Sequence, residues 1–236
     1  VTAPLPRRVA AEGLGTALLV AVVVGSGIQA TELSHDVGVQ LLANSLATVF
    51  GLGVLITLFG PVSGAHFNPA VTLAVWFTGR DGLTARDVAA YLPAQVVGAI
   101  TGAITADAMF GRPLVEFSTH DRSAPHLLLG EVIATAGLVL LILGLARADR
   151  ATAAPIAVAA YIGAAYWFTS STSFANPAVT TGRAFSDTFA GIAPTSVPGF
   201  VAAQLVGAAL GLAAVTLVHG RGRAAAVPRE PVEGHP

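Results

Sequence analysis

The 236-residue chain contains no cysteine and no lysine, and charged residues make up only 11% of it. Without cysteine there is no disulfide framework, no thiolate nucleophile and no cysteine-based metal site, and the redox compartment leaves no trace. Soluble domains are usually about a quarter charged. So little charge beside 54% hydrophobic residues points to a membrane protein. A formal net charge of −1 gives no sign of nucleic acid or of an acidic partner. No nucleophile, base and orienting group recur at a spacing suited to an enzyme, and nothing calls for a cofactor.

Hydropathy read in windows of about nineteen residues gives six full spans, near 10–30, 37–59, 84–109, 127–146, 152–170 and 195–218. Residues 10–218 therefore form one transmembrane domain, after an N-terminal segment at 1–9 and before a tail at 219–236. That tail mixes Pro, Gly, Ala and charges without an apolar face and is expected to be disordered. Arg7 and Arg8 precede an apolar run, but Glu12 interrupts it and five further spans follow, so a first span is expected there rather than a cleaved signal.

Asn-Pro-Ala-Val-Thr occurs twice, at Asn68–Thr72 and Asn176–Thr180, each time within apolar sequence. Asparagine caps a helix by accepting a backbone N–H of the first turn, and proline is at ease at the next position, where its missing N–H costs nothing. Asn68-Pro69-Ala70 and Asn176-Pro177-Ala178 are therefore read as helix starts, with the amide –NH2 of each asparagine left free to donate. The apolar stretch after each is only about eleven residues, roughly 16 Å of helix, or half a bilayer. Helix ends at membrane depth are tolerated only where protein buries them or water reaches them. Three full spans separate the two motifs, which reverses the direction of crossing and makes the second half an inverted repeat of the first, about 10–109 against 127–218. Ala94–Ala99 echoes Ala203–Ala208 around Gln95 and Gln204, and Glu12 echoes Glu131. With no lysine, orientation rests on arginine. Both termini inside leaves only Arg112, Arg122 and Arg183 outside.

Ser63-Gly64-Ala65-His66-Phe67 before the first motif, the second Asn-Pro-Ala, Glu12 with Glu131, and Gln95 with Gln204 together resemble the aquaporins, or major intrinsic proteins. The surroundings Gly60–Ser63 and Tyr166–Thr169 resemble bacterial aquaporins associated with arsenic resistance. The resemblance implies an all-α fold with six transmembrane helices and two half-helices, and a homotetramer in a bacterial plasma membrane. It also implies that each subunit passively conducts water and small uncharged solutes. Glu12 and Glu131 are costly inside spans unless partnered, and are expected to accept backbone N–H groups of the loops before the half-helices. His66 either faces the pore, as the family pattern suggests, or braces its loop.

The departure from the family is at the outer constriction, where Val179 stands in place of the usual arginine. Carried over by spacing, the remaining filter positions are Thr48, Ser173 and Ala164, with Tyr166 as the substitute for Ala164 if an insertion intervenes. Thr180 also replaces the aspartate common in glycerol-conducting members. A wider, less polar opening implies passage of glycerol or of metalloid hydroxides such as arsenous acid. Arg183 lies one turn beyond Val179 and either reaches the outer vestibule or pairs with Asp187. The alternative function is a gradient-coupled transporter that uses Glu12 and Glu131 for a coupling ion. Glu116, His120, Asp121 and His126 in the long external loop, like His35 and Asp36 in the other, read as solvated surface rather than as a metal site.

Overall fold

The computed structural model describes residues 3–79 and 82–220. Its helices are α1 (Leu5–Leu33), α2 (Val37–Ser63), α3 (Pro69–Phe77), α4 (Ala85–Met109), α5 (Pro125–Arg147), α6 (Ala154–Phe168), α7 (Pro177–Arg183) and α8 (Val197–His219), with no strand among the described residues. Six of them are long and apolar enough to cross a bilayer, α6 and α8 with the help of short 3-10 turns at Ala151–Ala153 and Pro194–Ser196. The expected tail falls almost wholly at 221–236, outside the described residues.

Helix starts follow local chemistry. Asp36 caps α2 by accepting from Val39 N at 3.0 Å. Thr84 and Asp87 form a reciprocal capping box on α4, reinforced by Arg8, whose Nη2 is 2.7 Å from Asp87 Oδ1. The helices α1, α5, α6 and α8 each carry proline in their first two positions.

The two repeats, α1–α4 and α5–α8, are held internally by close backbone contacts. A Cβ on Gly98 or Gly102 of α4 would lie 2.2 Å from a carbonyl oxygen of α1, that of Gly13 or Ala17. In the second repeat, a Cβ on Gly207 or Gly211 of α8 would lie 2.5 or 2.6 Å from Val132 O or Ala136 O of α5. Small residues one turn apart let membrane helices meet backbone to backbone, where dispersion rather than water exclusion holds them. Large apolar side chains such as Phe50, Ile156 and Leu217 are exposed on the outside, as a surface facing hydrocarbon requires. The short helices α3 and α7 are packed inside this frame.

Candidate channel lumen

The short helices begin as their motifs require. Asn68 Oδ1 accepts from Ala70 N at 2.9 Å and Val71 N at 3.4 Å; Asn176 Oδ1 accepts from Ala178 N at 3.0 Å and Val179 N at 3.2 Å. Pro69 and Pro177 are the first helical residues, and both are buried with Ala70 and Ala178. The helices are shorter than expected, nine residues in α3 and seven in α7. The chain turns at Gly79, where φ is 62°, and the second helix is capped at Ala184.

The asparagine amides are not wholly free, which corrects one expectation. Asn68 Nδ2 donates to Ala175 O at 2.7 Å, and Asn176 Nδ2 donates to Phe67 O at 2.7 Å. Each motif thus ties itself to the loop of the other, and both asparagines lie beside the cavity. Those loops are strained: Ala65, Phe67, Ser173 and Ala175 have φ of 51°, 49°, 54° and 48°, left-handed values that side chains disfavour by about 1–3 kcal/mol each.

Two buried carboxylates hold that strain. Glu12 accepts from Ser63 Oγ at 2.6 Å, His66 N at 3.0 Å, Phe67 N at 2.7 Å and Gln95 Nε2 at 2.8 Å. Glu131 accepts from Phe174 N at 2.9 Å, Ala175 N at 2.8 Å and Gln204 Nε2 at 2.6 Å. Each glutamine spends its second N–H on a motif threonine, Gln95 on Thr72 at 2.9 Å and Gln204 on Thr180 at 2.8 Å. The threonines in turn donate to Asn68 O and Asn176 O. Sequence reading paired the glutamines and noted Thr180 only as a substitution, and it missed this bonding to the threonines, although both stand in the duplicated pentapeptide.

A continuous cavity of about 650 Å3 runs alongside. It passes from Thr57, Gly60 and Ala151 by His66, Asn68 and Asn176 to Thr48, Tyr166, Ser173, Val179 and Arg183. His66 is among the residues that line the cavity, and its Nδ1 lies 3.1 Å from Thr72 Oγ1 with the ring edge-on to Tyr91.

Ala164 is misplaced by the sequence spacing. It sits on the exposed side of α6 with Ile156, Ala160 and Trp167, whereas Val158, Ile162 and Tyr166, one turn apart, face the cavity. Ala164 is two residues from Ile162, about 200° round the helix. Tyr166 takes the place instead, its Oη 3.0 Å from Thr48 Oγ1. Val179 is in the lining and buried.

Arg183 is not paired with Asp187. It is buried, donates from Nε to Ala190 O, and lays its guanidinium 3.4 Å from the centroid of the Phe174 ring while lining the cavity. Arg122, counted in the sequence only as an external charge, stands 5.0 Å from the same ring and donates to Gly191 O at 2.9 Å. Burial holds its guanidinium below the usual arginine range. Asp187 instead accepts from Thr119 N at 2.9 Å, and Asp121 accepts from Ser123 and from Ser196. Among the described residues no three His, Asp or Glu side chains converge as metal ligands.

Six spans and two half-helices meeting beside one cavity define the class, an integral membrane protein of aquaporin-like fold. The chain belongs to the major intrinsic protein family, whose model matches residues 1–173. It is 54% identical over 209 residues to the aquaglyceroporin AqpS of Rhizobium meliloti, covering 89% of this chain and 88% of that one. It is 35% identical over 224 residues to aquaporin Z of Brucella melitensis, covering 87% and 94%. The aquaglyceroporin from Plasmodium falciparum shares the fold with a TM-score of 0.65 at 23% identity, over 89% of this chain and 95% of that structure. These relatives are channels. Membership of the family supports passive passage of water and small solutes through this chain.

Proposed function

We propose that the protein is a passive channel for water and for small uncharged solutes, among them glycerol and metalloid hydroxides such as arsenous acid. The observation that carries this reading is the pair of asparagine-capped half-helix N-termini, each tied to the other's loop beside the cavity. Helix N-termini each carry roughly half a positive charge, so two of them at mid-membrane repel protons and other cations while neutral solutes pass. The remaining N–H of each asparagine orients a passing oxygen with its lone pairs inward, which interrupts the donor-to-acceptor chain along which a proton would hop. In this reading Thr48, Tyr166, Ser173 and Val179 form the filter, Arg183 stands in the outer vestibule, and the arginine bias puts both termini in the cytoplasm. The assembly is a homotetramer in the plasma membrane, each subunit conducting on its own.

The commitment of the two carboxylates supports a channel over a gradient-coupled transporter. Both oxygens of Glu12 and both of Glu131 already accept loop or glutamine donors, which leaves neither carboxylate open as a coupling-ion site. The test is stopped-flow light scattering of proteoliposomes with water, glycerol and arsenous acid, with and without an imposed proton or sodium gradient. Downhill flux indifferent to both gradients is expected; uptake that follows either gradient overturns the proposal. Val179→Arg should lower glycerol and arsenous acid flux far more than water flux, because it returns a bulky cation to the opening. Equal proportional loss for all three would point to misfolding or simple blockage, and no change in an assembled protein would remove Val179 from the filter.

A further inference from the structure

Thr48 and Tyr166 form one hydrogen-bonded unit, and counting its protons decides what it shows to the lumen. Thr48 Oγ1 lies 2.9 Å from Asn44 O, one turn back in α2, and 3.0 Å from Tyr166 Oη on α6. Both side chains are buried and both line the cavity. A threonine hydroxyl has one hydrogen, and between Thr48 and Tyr166 either oxygen can donate. With the Thr48 hydrogen on Asn44 O, Thr48 accepts from Tyr166 and the single phenolic hydrogen is consumed as well. The α2 segment that presents Thr48 is itself fixed, since Asn44 Nδ2 donates to Val23 O at 2.8 Å and to Ser26 Oγ at 2.9 Å on α1. What remains toward the lumen on this wall is lone pairs without a donor.

Ser173 Oγ is buried and has no protein partner among the described residues, so it presents no open donor to compete with this wall. Val179 offers neither donor nor acceptor. We propose that the Thr48–Tyr166 pair is a specificity-determining acceptor that favours neutral solutes carrying several hydroxyl hydrogens. A polyol or a metalloid hydroxide gives one O–H to this pair. A filter governed by width alone would make no such distinction. The inference rests on the channel reading above and adds to it the chemistry of selection.

The two accounts predict opposite signs for Tyr166→Phe. If Tyr166 only narrows the opening, removing its hydroxyl widens it and raises glycerol permeability relative to water. If the pair is an acceptor, the ratio of glycerol to water permeability falls about three- to tenfold, the worth of one hydrogen bond. The measurement uses the full chain in proteoliposomes at matched protein content, with water and glycerol followed in one preparation. Thr48→Val should lower the ratio similarly, and Thr48→Ser, which keeps both bonds, should lie closer to wild type. The double variant Thr48→Val/Tyr166→Phe should be no worse than the poorer single one, because the two side chains act as a unit.

A raised or unchanged ratio in Tyr166→Phe overturns the proposal and leaves the channel standing. Additive losses in the double variant overturn the unit. Equal losses of water and glycerol show a brace between α2 and α6 and nothing more, which also overturns it. Wild-type vesicles no more permeable than protein-free ones would overturn the channel reading and this inference with it.

Discussion

In the first repeat Glu12 accepts four hydrogen bonds, one of them from Ser63 Oγ, whereas Glu131 in the second accepts three. The serine corresponding to Ser63 is Ser171, whose Oγ lies 3.5 Å from Thr169 Oγ1 instead. Otherwise the scaffolds match: Ala65 N donates to Ser63 Oγ at 3.1 Å, and Ser173 N to Ser171 Oγ at 3.2 Å. The loops differ in bulk. Phe67 is fully buried, and a Cβ on Gly15 would come within 2.0 Å of its ring; at the corresponding positions the second repeat has Ala175 and Ala134. Shape is thus kept by conserving donors and acceptors between the repeats, while volume is traded between a loop and the helix behind it. The repeats diverge along the cavity: His66 corresponds to Phe174, and Val75 of α3 to Arg183 of α7, stacked on that phenylalanine.

The largest effect should come from unequal loss of the carboxylates. Glu12→Leu strands four donors and Glu131→Leu three, each worth about 1–3 kcal/mol when buried and unsatisfied. Both variants should be strongly destabilised, Glu12→Leu more so, with Gln at either site milder than Leu. Thermal unfolding in detergent orders them. A Glu131→Leu variant less stable than Glu12→Leu would mean that the donor count does not govern loop stability.

A smaller effect tests the exchange of volume. Gly15→Ala forces a methyl into the Phe67 ring and should cost about 1–3 kcal/mol as overpacking. Phe67→Ala empties a buried site and should cost about 3–5 kcal/mol. The double variant Gly15→Ala/Phe67→Ala rebuilds the pairing of the second repeat and should be clearly more stable than the sum of the singles implies. Strict additivity, measured by the same unfolding midpoints, would show that the two positions do not share space.

The same contrast explains what was legible in the sequence. Span positions came from hydropathy because a bilayer imposes a length, and the half-helix starts came from Asn-Pro because capping is local chemistry. The sequence offers Tyr166 only as the substitute for Ala164: spacing selects Ala164, but the inward face of α6 is fixed by its packing, which no spacing encodes. The asparagine-to-loop bonds, 107 and 109 residues apart in the chain, are consequences of bringing the repeats together. Arg183 lies against the Phe174 ring rather than Asp187, whose carboxylate accepts from Thr119 instead, a pairing set by tertiary packing that sequence spacing does not encode.

The smallest expected effect lies where the second half-helix leaves the core. Asp187 straps the external loop to the end of α7, accepting from Thr119 N at 2.9 Å and from Thr119 Oγ1 at 3.2 Å, while Glu116 N and Ser118 N donate to Phe185 O and Ala184 O. The Thr119 backbone bond, helped by its hydroxyl, holds the Asp187 carboxyl below the ordinary aspartate value. A carboxylate whose folded-state pKa is depressed contributes stability that is fully present above its unfolded pKa and is lost as pH falls through the folded one. Below about pH 4, therefore, the strap should loosen. Hydrogen exchange at residues 116–120, corrected for its intrinsic pH dependence, should lose protection in that window while the α1–α4 contact keeps its own. Asp121 is also depressed, by its bonds to Ser123 and Ser196, so acid should also act on the next stretch of the loop. Asp187→Asn separates the two: it should remove the pH dependence at 116–120 and leave that around 121–123 in place. Protection at 116–120 that falls with acid just as steeply in Asp187→Asn would assign the pH dependence to a titrating group other than Asp187.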